Sequence, residues 1–457
     1  MKDKRIVVCL KYYKGEMNPF DGAALECALE TGAKEIIALS MAPMAALDSF
    51  QSLTRLGVKC VLVSDIVYAG SDTQATSLIL AEALKRLAPD LIFCGRQSVD
   101  GDTAQVPPML AQRLGYHIKA KAISLDGERI TLRSGESFFP ETGTVITFEK
   151  IRTLRFPSIF SKMGEVQIWD NKTLCLPIEK CGIKGSPTRV INCYESNVGR
   201  RICKFSSVED LPLLIKEGLE KKRVERAQTN EQKLDEVFFV GDIEEIAMRI
   251  AKKTTRIEVE KKTPEKIAEE LRKKNVKTLL WEDNDELKIL APRVAVLTGA
   301  GICADCISFC VKEEKLIMTR PAQGDNITAD IICLSNMAFA TVRTAKKKGA
   351  ELVFAVGKGA INKIEEIGLL AKKYGADLCC SRIVADSGKM PYEAQVGLTG
   401  KSVSPKVYVA FGISGAVQHT CAIEGAGTVI AVNTDKNARI FDYADYGIIA
   451  EVKNVEL

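Results

Sequence analysis

The sequence predicts an α/β protein: doubly wound, Rossmann-like parallel-sheet domains, with two nucleotide-binding α/β units followed by a third, C-terminal α/β domain. Three observations predict it. Short apolar runs alternate with helical stretches in the manner of βαβ units. The pattern fades before Asp235 and restarts there, in a chain of 457 residues that is too long for one ordinary domain. Finally, the apolar run Val407 to Phe411 leads straight into a turn carrying Gly412, Ser414 and Gly415, with a short helix expected from about Ala416. Boundaries are expected at 1–222, 223–345 and 346–457.

In order, Arg5 to Leu10 is an apolar strand, and Asn18-Pro19-Phe20-Asp21 opens a helix with proline in its first turn and Gly32 past its end. Glu35 to Leu39, Lys59 to Val63 and Asp90 to Cys94 repeat the strand pattern. Their ligand crevice belongs at the carboxyl ends of the strands, which points to the loops Lys11 to Asp21, Ser40 to Met44, Ser64 to Ser77 and Gly95 to Val106. In the last loop Asp102 or Thr103 is placed to cap the following helix. Tyr116 to Phe148 reads as β-hairpins, turning at Asp126-Gly127 and Ser134-Gly135. The polar stretch after Gly185-Ser186-Pro187-Thr188 suits an arm wrapped over another domain, and Val208 to Lys222 is an amphipathic helix. The charged run Glu220 to Lys233 is the best joint, although a solvated helix end fits it equally well. A second unit comes next, with strands Asp235 to Val240 and Val276 to Trp281 and helices Pro264 to Lys274 and Glu286 to Leu297. Leu352 to Val356 and a helix from Asn362 to Tyr374 begin the third.

Composition excludes several classes. Apolar residues at 46% and charged residues at 27% are those of a soluble globular chain with an ample core. A net charge of +5 is small for this size and its basic residues lie among acidic ones, so nucleic acid is not an expected partner. Met1-Lys2-Asp3-Lys4-Arg5 lacks a secretion signal and no apolar run is long enough for a membrane span, so a cytoplasmic protein is expected. The 15 cysteines lie mostly in apolar strands and helices, where reduced thiols are expected. Cys303, Cys306 and Cys310 have the spacing of part of an iron–sulfur ligand set, but no second compact group completes it, so no metal is expected.

The chemistry concentrates in Ser381 to Asn433. A strand-to-helix glycine turn aims backbone N–H groups at an anion such as a pyrophosphate. Around it stand Arg382, a cation, and Ser381, Thr399, Ser414, Gln418 and His419, which can bond to a polar heterocycle; the whole chain has only two histidines. Spacing alone also fits a plain dinucleotide fold.

These runs closely resemble the FAD-binding C-terminal domain of the α subunit of electron-transfer flavoproteins. The matching pieces are Ser381-Arg382, the loop Gln395-Val396-Gly397-Leu398-Thr399-Gly400-Lys401, the turn Ile413-Ser414-Gly415-Ala416-Val417-Gln418-His419, and Asn433. The resemblance implies FAD contacts from all of these and from Lys358 and Glu451. Arg382 is implied over the isoalloxazine, His419 near its O2 edge, Thr399 by N5, and Asn433 and Glu451 toward the adenosine. Leu398 replaces the usual glutamine and Lys358 the usual arginine, keeping charge but losing a planar fork.

The amino-terminal half resembles the β subunit of the same family, from Asn18-Pro19-Phe20-Asp21 and from Gly95 to Val106, so one chain would hold both subunits, β first. That implies a second FAD, or AMP, contacted by Cys9, Asn18, Asp21, Met41, Asp72, Thr73, Thr76, Gly95, Gln97, Asp100, Gly101, Asp102, Thr103, Ala104, Gln105 and Val106. The form Asp100 to Val106, with Ser71 to Ser77, is similar to the flavin-bifurcating group. Pro107 stands where glycine is usual. Residues 223–345 resemble a shortened α-subunit N-terminal domain, at Ala291-Pro292-Arg293 and Ala304-Asp305-Cys306; lost strands would expose an edge that favours a partner or a homodimer. Two related α/β units in one chain also imply an internal pseudo-symmetry.

The function implied by the resemblance is that of an electron carrier between dehydrogenases. In the bifurcating form, NADH is the donor and its electrons divide between a low-potential acceptor, ferredoxin or flavodoxin, and the C-terminal flavin. In the simpler form one FAD works beside a structural AMP. A regulatory or scaffold module that merely binds nucleotides is the alternative of another class. Thr153 to Trp169 occupies the place of the family's loop for acyl-CoA dehydrogenases; Arg155-Phe156-Pro157-Ser158-Ile159 keeps its look, but Ser161 to Gln167 replaces the usual basic stretch, so a different dehydrogenase is an open alternative.

Overall fold

The computed structural model describes residues 1–195, 201–221, 232–322, 327–343, 350–397, 400–401, 403–423 and 425–451. The chain forms two compact units that are not contiguous in sequence. One draws on 1–193, 230–323 and 329–343, the other on 194–229, 324–328 and 344–457.

The first unit contains two α/β bodies. In the amino-terminal body the strands β1 (Arg5–Leu10), β2 (Glu35–Met41), β3 (Lys59–Val63), β4 (Leu91–Gly95) and β5 (Thr144–Phe148) are parallel in the order β3-β2-β1-β4-β5. This doubly wound order reverses between β1 and β4, so the crevice lies where those two strands end. Both sheet faces are covered, which is why the strands read as near-continuous apolar runs. Val8, Leu62, Phe93 and Phe148 fill one side, Val7, Leu39, Ile92 and Cys94 the other. Helix α1 (Pro19–Glu30) follows β1, α2 (Thr73–Leu87) follows β3, and α3 (Val106–Leu114) follows β4.

The region expected to be hairpins is only partly so. His117–Asp126 pairs antiparallel with Arg129–Leu132 through the Asp126-Gly127 turn, and Arg129–Leu132 with Ser137–Phe138. But β5 lies parallel between β4 and His117–Asp126, because its five residues are all buried and pair on both sides.

The second body has β6 (Leu234–Val240), β7 (Ala251–Arg256), β8 (Thr278–Glu282), β9 (Gly301–Cys306) and β10 (Ala338–Val342), all parallel in the order β7-β6-β8-β10-β9. Helices α4 (Pro264–Lys273) and α5 (Leu287–Thr298) cover one face, their core shared with Met109 from α3. Gln74 donates to the Ala300 carbonyl at 2.9 Å and Arg293 to Gln112 at 3.0 Å, so the bodies are joined by polar bonds as well as packing. Edge strand β7 carries Lys252 and Lys253, paired with Asp235 and Glu236, the charged dressing that keeps a free edge from pairing with other chains.

The second unit is one parallel sheet: β11 (Leu352–Val356), β12 (Asp377–Cys380), β13 (Val407–Phe411), β14 (Thr428–Asn433) and β15 (Tyr446–Ile449), ordered β15-β14-β13-β11-β12. It is doubly wound with its reversal between β11 and β13. Helix α6 (Ile364–Tyr374) connects β11 to β12. A sixth strand, Lys204–Ser206, comes from far upstream and lies parallel to β15. After it the helix Leu211–Glu220 buries Leu211, Leu214 and Ile215 against Phe354 and Phe411. The arm-like segment is therefore divided: Thr188–Glu195 joins a separate four-stranded sheet with Ile327–Cys333, Lys315–Ala322 and Ser308–Lys312, whereas Lys204–Ser206 and Leu211–Glu220 belong with this one, on the near side of the boundary expected at 222. Most of the expected joint, 222–231, lies outside the described residues.

Candidate functional site

In the second unit the predicted residues gather at the carboxyl ends of five neighbouring parallel strands. Lys358 follows β11, Ser381 and Arg382 follow β12, Ile413 to His419 follow β13, Asn433 ends β14, and Glu451 lies just past β15. The two loops at the reversal touch backbone to backbone. A Cβ at Gly357 would sit 2.3 Å from the Gly412 oxygen, and Gly359 N donates to that same oxygen at 3.0 Å. Gly415 has φ +84°, and a Cβ there would lie 2.0 Å from the nitrogen of Ile440, so no other residue fits. Beyond the turn the helix is only Val417–Thr420. Ser414, Ala416 and Gln418 are exposed, while Ile413, Gly415 and His419 are buried, so the turn offers alternate residues to the crevice.

The second wall is the loop Gln395 to Lys401. Val396 N donates to the Cys380 oxygen at 2.8 Å, Lys401 N to the Gln395 oxygen at 2.8 Å and Gly400 N to the Gly397 oxygen at 2.8 Å. A Cβ at Gly397 would meet the Gln418 oxygen at 2.9 Å, so the loop closes directly on the turn. Leu398 and Thr399 lie outside the described residues, as does the side chain of Val417.

His419 is buried, with Nε2 2.8 Å from the Tyr408 hydroxyl and Nδ1 lacking a hydrogen-bond partner. Burial lowers its pKa to about 4, with the Val396 carbonyl acting in the opposite direction. Burial thus favours the neutral imidazole, because charging it here would cost desolvation without a counter-ion beside it. Arg382 begins the short helix Arg382–Asp386 and donates to Asp386 at 3.2 Å, a partly exposed pair of the kind that holds a side chain only loosely. The Ser381 hydroxyl is buried without a partner. Asn433 uses both ends locally, donating to the Ile413 oxygen at 2.9 Å and accepting from Asp435 N at 3.0 Å, which makes it a brace for the turn. Two buried polar atoms without partners, on the segments that follow β12 and β13, the latter carrying the glycine turn, with the partly exposed Arg382 next to one of them, fit a polar ring system such as a flavin.

In the amino-terminal crevice Asp21 is the central brace. Its carboxylate accepts from Lys11 N at 2.7 Å and Gly95 N at 3.0 Å, tying the ends of β1 and β4 to α1. Burial raises its pKa to about 7 against those two bonds. A Cβ at Gly95 would lie 2.2 Å from that carboxylate. Asn18 donates to the Gln97 oxygen at 2.8 Å, Gln97 to Asp102 at 3.0 Å, and Lys11 pairs with Asp100 at 2.7 Å. Asp102 and Ala104 hold positive φ, and α3 begins at Val106 with no side-chain cap, so neither Asp102 nor Thr103 caps it: the loop turns left-handed before the helix starts. Thr73 donates to Gln105 at 2.8 Å. Asp72 caps α2 through Ala75 N and also holds Thr188, which leaves it a structural partner. Cys9, Met41 and Thr76 are partly exposed around the same end of the sheet. The Asn18 and Asp100 oxygens and the Gln105 nitrogen are buried without partners, an incomplete polar rim that fits a nucleotide. A Cβ at Gly101 would meet the Ser98 hydroxyl at 3.3 Å and Lys11 Nζ at 4.0 Å, both ends of side chains that can give.

The matching end of the second body is occupied by its own charges. Arg343 forks onto Asp305, and Asp283 pairs with Lys288 at 3.0 Å. Cys303 and Cys306 are buried in β9 and Cys310 lies on the next strand, and among the described residues no group of three His, Cys, Asp or Glu side chains is placed to hold a metal. Sequence reasoning missed Tyr408 and Lys11; a tyrosine inside the run Val407 to Phe411 was the available signal for the first.

Residues 6–137 and again 258–367 match the electron transfer flavoprotein domain, and 348–424 match the electron transfer flavoprotein FAD-binding domain. The chain belongs to the electron transfer flavoprotein family. One domain family is thus matched at two separate stretches of the same chain. The flavoprotein is 36% identical over 199 residues to Protein FixA of Azorhizobium caulinodans, covering 38% of this chain and 71% of that one. It is 35% identical over 212 residues to Protein FixB of Clostridium saccharobutylicum, covering 36% and 64%. With the acryloyl-CoA reductase electron transfer subunit beta of Anaerotignum propionicum it shares 32% identity over 237 residues, covering 36% and 65%. The chain thus spans just under two thirds of the last two relatives. Among the described residues no helix is long and apolar enough to cross a membrane.

Proposed function

We propose that this flavoprotein is a β-like half and a shortened α-like half fused into one cytoplasmic electron carrier, with FAD at the C-terminal crevice and a second FAD at the amino-terminal one. Electrons from NADH divide between a low-potential acceptor such as ferredoxin or flavodoxin and a dehydrogenase. The observation that carries this reading is the meeting of Ser381, Arg382, Gln395 to Gly397, Gly400, Lys401, the backbone from Ile413 to His419 and Asn433 at the carboxyl ends of one parallel sheet, with Ser381 Oγ and His419 Nδ1 buried and unpartnered.

Bound FAD supplies transfer of one or two electrons. The chain's share is positional: the glycines admit the ring, Asn433 braces the turn, and Arg382 turns from Asp386 to place a cation over the crevice. His419 offers a ring nitrogen near the flavin's O2 edge, and Thr399 is the proposed hydroxyl by its N5. The loop bearing Phe156, Ile159 and Phe160, all more than four-fifths exposed, is the proposed dehydrogenase contact.

A second reading is one FAD with a structural AMP, since the unpartnered Asn18, Asp100 and Gln105 atoms of the amino-terminal rim suit either nucleotide. Extraction of the purified protein with quantification of both nucleotides tests both readings. Two FAD per chain supports the first, one FAD plus AMP the second, and protein that stays colourless after incubation with FAD makes the chain a regulatory or scaffold module.

A further inference from the structure

Cys9 on β1 and Cys94 on β4 are register partners in adjacent parallel strands. Both belong to the same face of the sheet, Cys94 buried and Cys9 partly open at the strand end beneath the amino-terminal crevice. Neighbouring strands run about 4.8 Å apart, within the roughly 4.4 to 6.8 Å between Cα atoms that a disulfide spans. The residues just beyond, Lys11 and Gly95, are clamped by the one carboxylate of Asp21, so the spacing of the two strand ends is held from above. Neither the fold nor the proposed electron transfer gives this pair a role.

We propose that Cys9 and Cys94 form a reversible disulfide in the floor of the amino-terminal crevice, reached through that crevice and shielded when a nucleotide fills it. The oxidant is a low-molecular-weight disulfide. Cys9, the accessible member, attacks it as a thiolate, releasing one small thiol and leaving a mixed disulfide. Cys94 then gives up its proton and attacks the Cys9 sulfur, releasing the second small thiol. Two protein thiols are oxidised and one external disulfide is reduced, with both protons ending on the released thiols. The Cys9 thiol beside it, and then burial, push the Cys94 thiol well above the usual range, which makes the second step the slow one.

The full chain is incubated with oxidised glutathione, quenched with iodoacetamide and mapped by mass spectrometry. The expected result is a Cys9–Cys94 linkage with two fewer alkylated thiols per chain, slowed by saturating AMP or FAD added separately. In Cys94→Ser, glutathione should remain on Cys9. Full alkylation of both residues under conditions that modify exposed Cys175 and Cys193 overturns the pair. Linkage at an equal rate with and without nucleotide overturns the route through the crevice. The shielding rests on the nucleotide reading of this crevice, whereas the linkage is read on sulfur alone, so its failure is distinct from a failed flavin count.

Discussion

The hydroxyl of Tyr408 and Nε2 of His419 stand 2.8 Å apart, both side chains buried, the tyrosine inside the central strand β13 and the histidine at the end of the turn that comes after it. The bond holds one ring nitrogen and leaves Nδ1 buried without a partner. Tyr408→Phe strands Nε2 in an apolar setting. It should destabilise the C-terminal unit by about 1 to 3 kcal/mol and weaken FAD retention, as read by denaturant unfolding and by flavin release on dilution.

His419 also predicts an acid dependence. Burial lowers it from 6.5 to about 4, so between those values the unfolded chain binds a proton that the folded chain refuses. Stability should therefore fall as pH drops through that window, by on the order of a few kcal/mol. His419→Gln should flatten the curve of unfolding midpoint against pH there; an unchanged slope would place the acid sensitivity elsewhere.

Among the described residues Arg382 is held by a partly exposed pair with Asp386, worth about 0 to 1 kcal/mol. Arg382→Ala should leave the unfolding midpoint nearly unchanged while lowering the potential of the C-terminal flavin, measured by spectroelectrochemical titration. An unaltered potential would remove the residue from the proposed site.

Two glycines separate strain from propensity. At Gly415 a side chain meets the Ile440 backbone at a positive φ, and Gly415→Ala should cost about 2 kcal/mol or more and release flavin. In α6, a Cβ at Gly368 would meet only Leu378 at 3.6 Å, and Gly368→Ala should stabilise by about 0.5 to 1 kcal/mol. Thermal unfolding of both variants checks the contrast.

Asp21 accepts from two backbone donors with two oxygens. Asp21→Asn turns one acceptor into a donor facing a donor. The expected loss is about 1 to 3 kcal/mol together with weaker AMP or FAD binding at the amino-terminal crevice, read by calorimetric titration; unchanged affinity would confine the residue to stability.

By itself the sequence determined the strand and helix succession, because apolar periodicity is a property of the backbone's own repeat, and it determined the glycine turn at Gly412 to Gly415, because no other residue tolerates that backbone. The loops that carry the candidate site residues were legible for the same reason. Only the tertiary structure decided that β5 is a buried parallel strand, that Lys204–Ser206 and Leu211–Glu220 join a sheet begun 130 or more residues later, that Asp72 and Asn433 are braces, and that burial favours the neutral form of His419, with Tyr408 as its partner. Strand partners and desolvation depend on which distant residues arrive beside a group, and local pattern carries no record of them.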